Sequence, residues 1–136
     1  MSNQAVSTGR LATSAGAVRW VVRVAGLVQI LLGALFWTGN ALTLIPLHIL
    51  VGIVLVLALW TLAFLAARAG VSPGFVVVVV LWGLLLPIFG LTQDSILGGS
   101  AHWLIRVLHL LVGLAAIGQA EGLTQRIKQA PAGRAA

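Results

Sequence analysis

Residues 45–67 read "IPLHILVGIVLVLALWTLAFLAA". The stretch is long enough to cross a bilayer, which takes about 20 apolar residues of helix. One side chain in it can titrate, His48. The apolar length points to the fold, and the histidine raises the question of function.

The pattern extends to the whole chain. Of its 136 residues, 60% are hydrophobic and 7% charged, against roughly 25% charged in soluble domains. So few charges cannot cover a water-facing globule, and the apolar residues fall in long runs. Four spans are expected, at about 18–38, 45–67, 74–91 and 101–120. Gly39-Asn40 breaks the first from the second, and Pro46 suits the first turn of a helix. Arg68, Gly70, Ser72 and Pro73 form a tight turn before the third. The third opens with five valines, whose strand preference yields to the need of a spanning segment to satisfy its own backbone. Pro87 is expected to kink its far end. Residues 1–17 read as a flexible polar tail and 121–136 as a basic one. No Ala-x-Ala-like site interrupts the first apolar run, so no signal cleavage is expected. The expected fold class is all-α, a four-helix transmembrane bundle.

Arg10, Arg19, Arg23, Arg68, Arg126, Lys128 and Arg134 fall on one side of such a bundle, and Arg106 and Asp94 on the other. By the positive-inside rule both termini are cytoplasmic, in a bacterial-type inner or plasma membrane. The net charge of +6 is thereby explained by orientation, without nucleic acid. Trp20 on the inner side and Trp37 and Trp103 on the outer suit interfacial belts. The absence of cysteine removes disulfides, iron–sulfur clusters and thiolate sites. No nucleophile–base pair, phosphate-binding glycine loop or mid-span carboxylate is present, which leaves a hydrolase, kinase or proton-coupled transporter without its chemistry.

The hexamer "LHILVG" at 47–52 returns as "LHLLVG" at 108–113, and "LLGALFW" at 31–37 resembles "LLLPIFG" at 84–90. The offsets are 61 and 53, so the second hairpin carries eight extra residues, around "SILGGSAHW". The chain therefore reads as two repeated helical hairpins related by a rough two-fold along the membrane normal. His48 and His109 then come to one depth, in the outer leaflet, facing a common axis.

An intramembrane histidine is costly and marks function by default. The plainer use is an imidazole bonded to a carbonyl or water near the interface. Two histidines at equivalent positions favour a shared ligand, and haem b is the leading candidate, since its iron takes two axial imidazoles. Gly52 and Gly113, each four residues after a histidine, lie on the same helix face and leave room for a flat ring; close helix packing is the other use of such glycines. Arg106, one turn before His109, offers a fork to a haem propionate or simply snorkels to the interface. His102 is two helical turns from His109, about 10 Å along the axis. The two cannot share one ion, and His102 is left to a propionate, a quinol or water. Gln29, mid-span, is expected to bond a neighbouring helix. Gly26 and Gly33 offer a small-residue stripe for a homo-oligomer.

Four spans with histidines on the second and fourth resemble small membrane b-type cytochromes of the broad cytochrome b561 kind. The resemblance implies electron transfer with quinol or an outer-side redox partner protein. Many such proteins hold two haems; one histidine pair here implies one. In size and topology the chain also resembles four-span scaffolds of the DoxX-like kind, which implies a non-redox accessory subunit.

Overall fold

The computed structural model describes residues 3–130. Four helices dominate it: α1 (Asn3–Trp37), α2 (Ile45–Arg68), α3 (Pro73–Thr92) and α4 (His102–Gln129), with short 3-10 turns at Leu42–Leu44, Gln93–Ser95 and Gly99–Ala101. Among the described residues there is no strand. Each helix contains a segment long and apolar enough to cross a membrane.

The ends of the first two helices follow from their sequence. Glycine tolerates the left-handed backbone that closes a helix. Gly39 and Gly70 both take φ of 76°. At α1 the Asn40 N–H donates to the Leu35 carbonyl (2.9 Å), and at α2 the Val71 N–H donates to that of Ala66 (3.0 Å). Gly39 and Gly70 donate one step inside these bonds, to Phe36 and Ala67. Both helices thus end in the same two-bond glycine cap. Pro73 then starts α3. That helix runs unbroken past Pro87 to Thr92.

Two helices are longer than the expected spans. Residues 3–17, expected as part of a flexible tail, belong to α1; much of that stretch is alanine and other small residues, and the neighbouring span supplies the helical nucleus that a short segment lacks. Likewise α4 continues to Gln129 through most of the expected basic tail. Residues 1–2 and 131–136, Arg134 included, lie outside the described residues.

The helices alternate up and down. α1 and α3 each pack on both α2 and α4, α2 touches α4, and α1 and α3 do not meet among the described residues. The cross-section is therefore a rhombus whose short diagonal joins α2 to α4. The densest core lies toward the basic end, where Val22, Leu59, Leu62, Val79, Leu123 and Ile127 are fully buried. Outward faces are apolar: Phe64, Leu81, Ile88 and Leu91 are all exposed. That inversion fits a hydrocarbon solvent. Gly26 is turned inward, against Ile117 of α4. It cannot form an outward stripe with Gly33, because α1 uses the missing side chain to approach α4.

Candidate functional site

His48 sits one turn into α2, behind Pro46 near the helix start. His109 lies two turns into α4, which begins only after the two 3-10 turns of the longer connection. After this longer connection the His109 imidazole comes beside that of His48. Across the short diagonal the two ring centres are 6.4 Å apart, with planes inclined at 44°.

Two more rings extend the pair. Phe36 of α1 meets His48 edge-on at 5.4 Å. Phe89 of α3 lies 5.7 Å from His109. Each helix contributes one ring to a row Phe36–His48–His109–Phe89. Behind His109 is Gly90, where an added Cβ would come within 3.2 Å of Cε1. The missing side chain lets α3 approach the imidazole. None of Phe36, Phe89 and Gly90 is conspicuous in the sequence. The matched segments 31–37 and 84–90, which contain all three, are the available signal.

Polar satisfaction is poor here. The Nδ1 atoms of both His48 and His109 are buried without a hydrogen-bond partner, and so is Oε1 of Gln29. The two glycines differ. Beside Gly113 there is open space, with nothing within 4 Å of a built Cβ. The Gly52 position is not open: a Cβ there would lie 2.8 Å from Nε2 of Gln29. α1 packs directly on α2, and its Gln29 amide takes the room that was expected for a flat ring. Arg106 is exposed on α4. His102 Nε2 lies 3.6 Å from Asp94 Oδ1, at the start of α4. It is held toward the loop, apart from the ring row.

Two imidazoles bound to one metal from opposite sides have metal–nitrogen bonds of about 2.0–2.1 Å, which with ring centres about 1.1 Å further back gives a separation of about 6.3 Å. The observed separation of 6.4 Å matches. Among the described residues no group of three or more His, Asp or Glu side chains could cage a bare ion. Two nitrogens alone suit a centre that brings its other ligands with it, as a tetrapyrrole does. A haem b held here would take its two axial nitrogens from this pair. On the α2 side, the Gln29 side chain would have to turn aside.

At the opposite end, Glu121 of α4 accepts from two arginines of α1: Arg23 Nε at 2.5 Å and Arg19 Nη1 at 3.4 Å. Arg126 of α4 lies over the Phe75 ring of α3, 4.1 Å from its centre.

Comparison with family models, curated proteins and solved structures returns no match.

Proposed function

We propose that this chain is a membrane-bound b-type cytochrome, with His48 and His109 as axial ligands of one haem b. The observation that carries the reading is the pairing of two intramembrane imidazoles from facing helices at the spacing of a shared centre. The bound group would supply one-electron exchange, with quinol or with an outer-side partner protein. The chain's own residues do the rest. Phe36 and Phe89 brace the imidazoles and keep lipid from their outer faces. Gly113 leaves space beside the ligand helix, Gly90 lets α3 close on His109, and Arg106 places a cation toward the propionate side.

The proposal extends to the repeat and the orientation. Gln29 of α1 approaches Gly52 of α2. At the position 53 residues on, Trp82 of α3 donates its indole N–H to the Val112 carbonyl of α4 (3.0 Å), next to Gly113. Together with the Phe–His pairs, these contacts support two hairpins related by a two-fold. The cationic end would be cytoplasmic, which puts the histidines in the outer leaflet. Cysteines at Asn40 and Ser95 should then react with an impermeant reagent in whole cells, and one at Ser72 should not. The reverse pattern would sink the orientation.

A second reading is a non-redox scaffold or accessory subunit. The filling of the Gly52 position by Gln29 favours it, since the protein's own side chain closes one flank of the histidine pair. The absorption spectrum of the purified protein separates the two. The cytochrome requires a sharp Soret band and split α/β bands on reduction, the signature of six-coordinate low-spin iron. Protein expressed with ample haem that shows neither is a scaffold.

A further inference from the structure

An apolar groove of about 470 Å³ runs along the lipid-facing seam of α1 and α2. Trp20, Val24 and Val28 line one wall, and Val51 and Val54 the other. From Trp20 to Val28 it follows α1 for about 12 Å at the helical rise. Trp20 marks its basic end, and there the Arg23 guanidinium lies 5.1 Å from the Trp20 ring centre. Arg23 and Arg19 share one carboxylate, Glu121. The cluster therefore keeps one positive charge in excess. Arg19 Nε is also buried without a hydrogen-bond partner. A groove without polar lining thus ends at Trp20, beside the Arg23 guanidinium, which shares Glu121 with Arg19.

We propose that the α1–α2 groove and the Arg19–Arg23 pair form one site for an anionic phospholipid. An acyl chain lies along the valines, and the phosphate meets the guanidiniums beside Trp20. Charge decides against a neutral occupant. Guanidinium binds phosphate oxygens through paired N–H donors, and basic pockets between spanning helices at this level select anionic headgroups. Glu121 has two parts to play. It holds the arginines in place, and it competes with the lipid phosphate for them.

The test uses the full chain in phosphatidylcholine vesicles containing a fixed share of lipid with brominated acyl chains. That lipid is either phosphatidylglycerol or phosphatidylcholine. The readout is quenching of Trp20, taken as the difference between wild type and Trp20→Phe. Brominated phosphatidylglycerol should be preferred about fivefold or more. The Arg19→Gln/Arg23→Gln protein should lose the preference. Glu121→Gln should raise it, because both guanidiniums are then free for phosphate; a merely structural role would move both variants the same way. Equal quenching by the two lipids in wild type overturns the proposal. So does a preference that survives in Arg19→Gln/Arg23→Gln, or a neutral isoprenoid alcohol that displaces the brominated lipid as well as phosphatidylglycerol does. Should the double arginine variant fail to fold, Glu121→Gln decides alone, and an unchanged or lowered preference refutes the site.

Discussion

At the basic end of the bundle, Arg19 and Arg23 of α1 meet Glu121 of α4, and each charged group has a partner. At the other end, His48 and His109 meet at the same kind of helix–helix contact, yet their Nδ1 atoms are buried and unpartnered. Leaving such a group unsatisfied costs about 1–3 kcal/mol. The ends differ in packing too. Fully buried aliphatic side chains gather toward the arginines, whereas the histidines stand in a row of rings. At the cationic end Glu121 gives both arginines an acceptor between α1 and α4, and Arg19 Nε alone of their atoms stays buried without one. The histidine end has two buried ring nitrogens and nothing of its own for them to bond, which is what the proposed ligand role would require.

The strongest way to break that contrast is to remove the histidines. If the pair holds the proposed haem, the His48→Ala/His109→Ala protein should lose it altogether, and each single variant should lose most of it. His102→Ala should leave the spectrum nearly intact, since that side chain sits by Asp94. Haem content per protein after purification is the measurement, and full loading of the double variant would refute the ligand assignment.

Next in size are the glycines, which sharpen the contrast because they separate room for a ligand from packing. Gly113 faces open space. Gly113→Leu should therefore leave the melting temperature in detergent almost unchanged, yet weaken haem binding about tenfold, the usual cost of disturbing the surroundings of a metal ligand. Gly90→Leu presses on His109 and should reduce both stability and loading. A Gly113→Leu protein that loads normally would leave the glycine no part in binding.

The basic end offers the reciprocal test. Glu121→Ala leaves two guanidiniums without their shared acid and should lower the melting temperature by a few degrees. The haem spectrum should not move, because sites far apart with no common partner act additively. A spectral change in this variant would show that the two ends are coupled.

Why some of this was legible beforehand is a matter of which residues carry contrast. Hydropathy marks the spans, since lipid demands long apolar runs and little else interrupts them. Gly39 and Gly70 mark the helix ends because few other residues take their backbone. A histidine in an apolar run is conspicuous, and the repeated hexamer pairs the two. Phe36 and Phe89 are two more apolar residues in apolar helices, so their place beside the imidazoles emerges only from the rotation of α1 and α3 in the bundle. The same holds for Gln29: composition says that its amide needs a partner, but packing alone puts it into the Gly52 notch. The length of α1 was hidden for a different reason. Its first turns are small and weakly polar, a composition that serves a coil or a helix equally well until a long helix follows it.

The smallest expected effect concerns Arg106, and it asks whether the histidine end uses charge at all. Arg106 lies one turn before His109 and is exposed. A cation near the iron opposes the additional positive charge of the ferric state. Removing it favours ferric over ferrous, so Arg106→Ala should lower the midpoint potential. Exposure to solvent limits the size: a unit charge about 10 Å away in a nearly aqueous dielectric contributes on the order of 0.4 kcal/mol, or about 20 mV. Salt should shrink the shift further, because exposed charges are screened over about 10 Å at 0.1 M. Arg106→Lys keeps the charge and gives up the two-pronged geometry. If only charge matters, its potential should equal that of wild type. If the fork holds a propionate, it should fall between wild type and Arg106→Ala. A redox titration of the three proteins in one detergent, at low and high salt, reads both effects. An unchanged potential in Arg106→Ala would reduce the arginine to an interfacial anchor. A raised one would mean that its charge is not what the iron senses.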